Sequence, residues 1–161
     1  MFVSPTHGAV DMPTIARLIR KRSLEADGEY NVLIGTDSQN FDTTKMVVVI
    51  ALHHVGRGGI FFYEIQNVRR MNDIAQKLRY ETMLSLDCAE ALMREFEVLR
   101  KTDAYDMEKH LSFSIHVDAG ANGPSKKMIP EVIGWINACG YTAVIKPDSY
   151  AASGIANKYS K

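Results

Sequence analysis

Apolar residues recur at helical spacing near the amino terminus, after about ten residues without a regular pattern. Residues 11–14 supply an aspartate suited to a helix cap and a proline suited to the first turn, and the glycine within 26–29 suits a helix end. This pattern predicts a first helix between the two segments. The apolar residues that share its stripe are Ile15, Leu18, Ile19 and Leu24.

Three apolar segments with the character of β-strands follow. Residues 30–37 and 59–68 are rich in β-branched and aromatic side chains. Residues 45–55 form a near-continuous apolar run, which is typical of a strand covered on both faces. Polar residues at 38–44 and glycines at 56–59 separate these segments, so we expect two tight connections between neighbouring strands.

The second half of the chain alternates helices and strands. Asn72 is suited to cap a long helix that ends at about residue 100. The remaining predicted elements are a strand at 111–117, a glycine-rich loop at 119–123, a helix at 125–139, a strand at 141–146 and a terminal helix.

The order of these elements, β-β-β-α-β-α-β-α behind an amino-terminal helix, predicts an α/β fold with a mixed five-stranded sheet and helices on both faces. We expect a single domain over 1–161, made of an amino-terminal helical extension at 1–29 and a core at 30–161.

Composition and charge exclude several classes of protein. The chain has 161 residues, 46% hydrophobic and 24% charged, with 19 basic against 19 acidic side chains. This balance argues against a dedicated, high-affinity nucleic-acid binder, and less strongly against an enzyme that contacts nucleic acid transiently. Cys88 and Cys139 lack the spacing of a disulfide framework or a zinc site. Neither a signal peptide nor a membrane span is indicated, so we expect a soluble, cytoplasmic protein.

One carboxylate of the long helix lies on its apolar side. Glu81 falls in the middle of the apolar stripe, and a carboxylate that faces a core must be paired, metal-bound or neutralised. A salt bridge or a cap on a neighbouring element is the structural alternative. The other stripe residues are Ile74, Leu78, Ser85, Cys88, Leu92, Phe96 and Leu99.

Three aspartates lie at predicted element ends. Asp37 ends the first strand and Asp118 the fourth, where α/β sheets form their sites, and Asp148 begins the terminal helix. Each taken alone is compatible with a turn or helix cap. Together with Glu81 they form a set of oxygen ligands suited to divalent metal ions.

The order of these carboxylates resembles the ribonuclease H-like superfamily, in which carboxylates lie on the first strand, the first core helix, the fourth strand and the last helix. A closer resemblance is to a group of small uncharacterised bacterial proteins of that superfamily, the YkuK-type family. The segments that carry it are residues 4–8, IGTDSQ at 34–39, the aspartate and glycine loop at 118–123, and KPDSYAA at 146–152.

The resemblance implies a metal-dependent nuclease that hydrolyses a nucleic-acid phosphodiester with two Mg²⁺ or Mn²⁺ ions. It implies that Asp37 bridges both ions, that Glu81 and Asp118 complete the shell of one, and that Asp148 completes the other. Candidate auxiliary residues are His116, as a proton shuttle or an extra metal ligand, and Lys126, Lys127 and Lys158, as phosphate contacts. The segment after Asp37 lacks the Asp-Gly-Ser sequence of RNase H itself, so substrate recognition differs.

Two other interpretations of the function are compatible with the sequence. One is a non-catalytic RNase H-like module that binds nucleic acid or a protein through the basic segment at 17–22. The other is phosphotransfer with the glycines at 120–123 facing a phosphate, although enzymes of that kind pair two such domains. We expect nucleic acid as the partner and no membrane contact. The choice between RNA, DNA and hybrid substrates, between endo- and exonuclease action, and the oligomeric state stay open.

Overall fold

The computed structural model describes residues 1–25, 27–102 and 111–149, and it confirms the α/β class with a mixed sheet. Its strands are β1 (Phe2–Ser4), β2 (Gly8–Val10), β3 (Tyr30–Asn40), β4 (Thr44–His54), β5 (Gly58–Val68), β6 (Leu111–Gly120) and β7 (Thr142–Lys146). Its helices are α1 (Met12–Glu25), α2 (Ile74–Thr102) and α3 (Ile129–Ala138), with a 3₁₀ turn at Lys126–Met128.

Within the described residues the sheet has seven strands in the order β2-β1-β5-β4-β3-β6-β7, so the predicted count of five is wrong. The first ten residues, which show no regular pattern in sequence, form the hairpin β1–β2, and β1 pairs with the edge of β5. Strands of three residues are too short for alternation to be recognised in a sequence. Phe2 and Val10 of this hairpin are buried, so it extends the core as well as the sheet.

Two strands run further than predicted, and this changes where the aspartates lie. β3 stays paired with β4 as far as Asn40↔Thr44, so Asp37 lies inside β3 rather than at its end. β6 likewise continues to Gly120, so Asp118 lies inside β6. Residues 38–40, which suggested a turn, are strand residues because β4 supplies their backbone partners, and the predicted turn is confined to residues 41–43.

The strand directions bring three carboxyl ends to one edge of the sheet. β3 is antiparallel to β4 but parallel to β6, and β6 is parallel to β7. The carboxyl ends of β3, β6 and β7 therefore lie together, as required for a site at that edge.

The described helices share one core with one face of the sheet. Fully buried side chains from all three helices pack in a single cluster with Phe62 of β5 and Ile115 of β6; from the helices these include Ile15, Ile19, Leu92 and Ile136. Val47 and Val49 form a separate, smaller cluster. Because the predicted terminal helix lies outside the described residues, helices on both faces remain a prediction.

Helix starts differ in detail from the sequence prediction. The amide of Thr14 donates to Asp11 Oδ1 at 2.9 Å, as expected for the start of α1. At α2 the cap is Asp73 rather than Asn72, because the Asp73 carboxylate accepts the amide of Ala75 at 3.0 Å. The helix predicted at 125–139 is divided into the 3₁₀ turn and α3.

Candidate metal centre

A pair of hydroxyl contacts fixes α2 against β3 and so positions Glu81. Thr36 Oγ1 lies 2.8 Å from Ser85 Oγ, and Ser38 Oγ donates to Glu81 Oε2 at 3.3 Å. Two residues of a strand and four residues of a helix both advance by about 6–7 Å, which lets the two contacts form side by side. Glu81 is buried, as its position on the apolar stripe predicts.

Asp118 lies in an irregular part of β6. The strand is in register with β7 up to His116↔Val144, and pairing resumes only at Gly120↔Lys146. β6 therefore contains two more residues than β7 between these pairs. Such bulges re-aim side chains and are frequent next to active sites.

These local arrangements bring three of the four predicted carboxylates together. Asp37 of β3, Glu81 of α2 and Asp118 of β6 each offer an oxygen, and these oxygens all lie within 4.8 Å of one another. We call these three residues the acidic triad. Glu81 lies 44 positions after Asp37 and 37 positions before Asp118 in the sequence, yet the three side chains form one cluster.

Mutual repulsion and burial disturb the ionisation of the triad. Burial, together with Asp118 as hydrogen-bond partner and charge, raises the pKa of Asp37 to about 7. Burial and the charges of Asp37 and Asp118 raise the pKa of Glu81 well above its usual value. Without a bound cation, the triad is therefore not fully ionised at neutral pH.

Asp118, unlike its two neighbours, keeps its negative charge readily in this state. Burial alone would raise its pKa, but the hydrogen bond with Asp37 and the ammonium of Lys146 hold the pKa below the usual value. Lys146 Nζ lies 2.5 Å from Asp118 Oδ1, and this pairing raises the pKa of Lys146. One carboxylate is thus ionised and paired while its neighbours tend to keep protons.

Two residues of the triad, Glu81 and Asp118, line a cleft with a volume of about 830 Å³. The cleft lies between the start of α2, the loop after β6 and the end of β7. Its charged lining residues are Lys77, Glu81, Asp118 and Lys146, and its floor includes the glycine-rich segment at 120–123. A charged substrate group therefore has access to the triad.

The donor set fits a hard divalent cation. Such ions prefer carboxylate oxygens, and three of them converge here. Asp118 Oδ1 is also buried and, among the described residues, accepts no hydrogen bond of ordinary geometry, although Lys146 Nζ lies close to it. A carboxylate oxygen has two lone pairs, so it can coordinate a metal ion in addition to its contact with the ammonium.

Comparison with known proteins identifies the fold family. The family model described as "Ribonuclease H-like" matches residues 13–161. The chain belongs to the ribonuclease H-like family. It is also 33% identical over 138 residues to a protein of Bacillus subtilis (strain 168) named "Uncharacterized protein YkuK", which covers 82% of this chain and 80% of the relative. No solved structure matches the chain significantly.

Both resemblances stated from the sequence are therefore confirmed. The ribonuclease H-like match begins within α1, so it includes most of the helix that the sequence assigned to an extension. The division at residue 30 stays a prediction. None of the described helices of this ribonuclease H-like chain is both long and apolar enough to cross a membrane.

The fourth predicted ligand does not belong to the triad. Asp148 is exposed just after β7, where its backbone amide donates to Ile145 O at 3.0 Å. The terminal helix predicted to begin there lies outside the described residues from position 150. The role of Asp148 as a ligand stays a prediction.

The predicted auxiliary residues lie in different surroundings. His116 is buried on β6, and burial lowers its pKa, which favours the neutral imidazole near pH 7. Lys126 and Lys127 are exposed in the 3₁₀ turn after the glycine loop. Lys158 lies outside the described residues. The proposed roles of all four stay predictions.

Sequence reasoning missed the role of two residues at this site. Ser38 donates to Glu81 Oε2, and Lys146 forms an ion pair with Asp118. Both belong to the segments that carry the family resemblance, IGTDSQ and KPDSYAA. Their contacts depend on strand register, which one sequence does not specify.

Proposed function

We propose that this protein is a divalent-metal-dependent nuclease of the ribonuclease H-like type, which uses Mg²⁺ or Mn²⁺ to hydrolyse a nucleic-acid phosphodiester in the cytoplasm. The observation that carries the proposal is the convergence of Asp37, Glu81 and Asp118 within 4.8 Å, next to a cleft that Glu81 and Asp118 line. Carboxylates so close together repel one another and need a cation to be ionised at once.

The residues of the triad would have distinct tasks. Asp37, which lies close to both Glu81 and Asp118, would exchange its proton for the cation, since its pKa lies near neutrality. Glu81 is held by Ser38 and would supply an oxygen without having to reorient. A bound divalent ion would supply activation of a water nucleophile and stabilisation of the charge that develops on the phosphate.

The cleft supports a nucleic-acid phosphate as the substrate group. Lys77 and Lys146 line it, and both ammonium groups suit a phosphate oxygen. The glycine-rich segment at 120–123 has few side chains to keep a sugar-phosphate backbone away. Ile74, at the start of α2, lines the same cleft and is 45% exposed, so it offers an apolar contact for a base.

These residues support the binding of a metal ion more directly than they support the binding of two ions. The two-ion arrangement implied by the resemblance needs Asp148 as a fourth ligand, and Asp148 is exposed outside the triad. The triad therefore supports a first ion more directly than a second.

A cleavage assay with matched variants tests the proposal. End-labelled single-stranded RNA, single-stranded DNA and an RNA–DNA hybrid are incubated with the purified protein in Mn²⁺ or in a chelator. Asp37→Asn should abolish cleavage, because the amide keeps the shape but loses the charge that holds the ion. Asp42→Asn, the same change at an exposed position in the β3–β4 turn, should leave cleavage intact. Cleavage that persists in the chelator or in Asp37→Asn contradicts the proposal.

The Lys146–Asp118 ion pair favours a second candidate, a non-catalytic module that binds nucleic acid or a protein. In that case the ammonium serves as the permanent partner of the carboxylate, and the triad is structural. The exposed basic residues Arg17, Lys21 and Arg22 of α1 would then form the contact surface. Nucleic-acid binding that is unchanged by Asp37→Asn but lost on replacing these three residues would support this candidate.

A further inference from the structure

Lys146 is held beside the triad by the geometry of two strands. It is the last residue of β7 and pairs with Gly120 after the bulge in β6. A Cβ atom at position 120 would lie 3.0 Å from Lys146 Cβ, which is closer than ordinary packing allows. The glycine therefore lets the lysine lie against the end of β6, where its ammonium reaches Asp118 Oδ1.

The contact between Lys146 and Asp118 changes the net charge that a metal ion would meet at the triad. When fully ionised, the triad carries three negative charges, and the nearby ammonium reduces the total to two. A total of two is the charge of a single divalent ion. A second divalent ion would have to bind close to an ammonium that already occupies one side of Asp118.

We propose that Lys146 is an internal cation of the metal centre, which takes the place of a second divalent ion and limits the triad to one. The inference rests on the proposed metal-dependent function and refines it. It differs from the two-ion arrangement because the second positive charge belongs to the chain itself. In this arrangement the half-exposed Lys146 ammonium also faces the cleft, where a phosphate of the substrate would enter.

Lys77 provides a matched comparison within the same cleft. It lies one helical turn before Glu81 and lines the cleft with Lys146, and its charge partly offsets the rise in the pKa of Glu81 that burial and the neighbouring carboxylates cause. Its side chain therefore adds positive charge to the surroundings. If any nearby lysine has the same effect on metal binding, Lys77 and Lys146 should be interchangeable, whereas the ion pair with Asp118 predicts that they are not.

Calorimetric titration of the metal-free, full-length protein with Mn²⁺ tests the proposal without relying on activity. The variants are Lys146→Met and Lys146→Gln, which remove the charge, Lys146→Arg, which keeps it, and Lys77→Gln as the local control. The wild type and Lys146→Arg should bind one ion. Removal of the ammonium should tighten Mn²⁺ binding about tenfold or allow a second ion, since an ion a few ångströms from a positive charge is repelled even in water. Lys77→Gln should have a smaller effect.

The outcomes separate this inference from the proposed function. Two ions bound by the wild type, or equal affinity and stoichiometry in wild type, Lys146→Met and Lys146→Gln, would overturn the role of Lys146 but leave the metal site intact. No binding by the wild type with binding by Lys146→Met would overturn the one-ion centre, because Lys146 would then replace the metal ion altogether, and it would also contradict metal-dependent activity. Absence of binding in every variant, with native circular dichroism, overturns the metal site and the inference with it.

Discussion

Thr36 Oγ1 lies 2.8 Å from Ser85 Oγ inside the protein, and this contact connects the strand that carries Asp37 to the helix that carries Glu81. Both hydroxyl groups are buried, with Thr36 2% and Ser85 2% exposed, so each depends on the other for a partner. The contact therefore has two effects: it satisfies two buried polar groups and fixes the register of α2 on β3.

Replacing both hydroxyls should destabilise the protein by less than the sum of the two single replacements. Thr36→Val or Ser85→Ala alone should lower the free energy of unfolding by about 1–3 kcal/mol, because one buried hydroxyl loses its partner. The double variant should lose less than the sum of the two, which urea denaturation of the four proteins would measure. Thr82→Val is the control, since Thr82 donates to Leu78 O within α2 and should show no coupling to Thr36. Additive effects of Thr36→Val and Ser85→Ala would show that the contact is not energetically coupled.

Divalent metal should raise the melting temperature of the protein. A ligand that binds only the folded state adds about 2.7 kcal/mol when present at a hundred times its dissociation constant. Differential scanning calorimetry should therefore show a rise with Mn²⁺ or Mg²⁺ in the wild type and in Asp42→Asn. The rise should be lost in Asp37→Asn. An identical rise in Asp37→Asn would place the bound ion somewhere other than the triad.

The pH dependence of the metal-free protein should reveal the repulsion within the triad. The pKa of Asp37 is raised from 3.8 to about 7, so the folded state retains a proton that the unfolded state has lost. The resulting stability is complete below the unfolded pKa and is lost as the pH rises through the folded one. Between pH 5 and pH 8, the wild type should lose about 2–3 kcal/mol of stability relative to Asp37→Asn.

Other titratable groups near the triad do not reverse this difference in pH dependence between the wild type and Asp37→Asn. The raised pKa of Glu81 acts in the same direction, and because the charge of Asp37 contributes to that rise, Asp37→Asn reduces it and adds to the difference between the two proteins. His116, whose pKa is lowered by burial, gives stability that is lost as the pH falls, and it does so in both proteins. Asp118 and Lys146 have pKa values shifted away from this pH window. Parallel stability curves for wild type and Asp37→Asn would contradict the raised pKa of Asp37.

The sequence predicted the chemistry of the site better than its geometry. Glu81 was identified because a carboxylate on an apolar helical stripe conflicts with the pattern around it, and such conflicts often mark function. Asp37 and Asp118 were identified as candidates, but their strands run past the predicted ends. The reason is that polar residues such as Ser38 become strand residues through pairing with β4, and pairing partners distant in sequence leave no local signal.

Two features of the site could not be predicted from one sequence. The contact of Lys146 with Asp118 depends on a bulge of two residues in β6, which alters the register without changing the hydrophobic alternation on either side. The hairpin β1–β2 is held by its pairing with β5, and three-residue strands show no period of their own. In both cases the determining interaction is between segments and not within one.

Glu81→Gln distinguishes a metal centre from a structural ion cluster. The amide retains an oxygen that accepts the hydroxyl of Ser38, so the local packing at α2 and β3 should persist. In a metal centre the metal-free variant should be at least as stable as the wild type at pH 8, by up to about 2 kcal/mol, because one of three repelling carboxylates is gone. It should also lose the increase in melting temperature given by Mn²⁺ and lose cleavage.

If instead Glu81 is a structural ion-pair partner, the variant should be destabilised by roughly 3–5 kcal/mol with or without metal. Glu90→Gln, an exposed substitution on the same helix, is the control for the effect of charge removal alone. Urea denaturation of the three proteins, each with and without Mn²⁺, measures the free energy of unfolding of the metal-free protein and the stabilisation that Mn²⁺ adds. If Glu81→Gln changes neither of these, Glu81 has neither role.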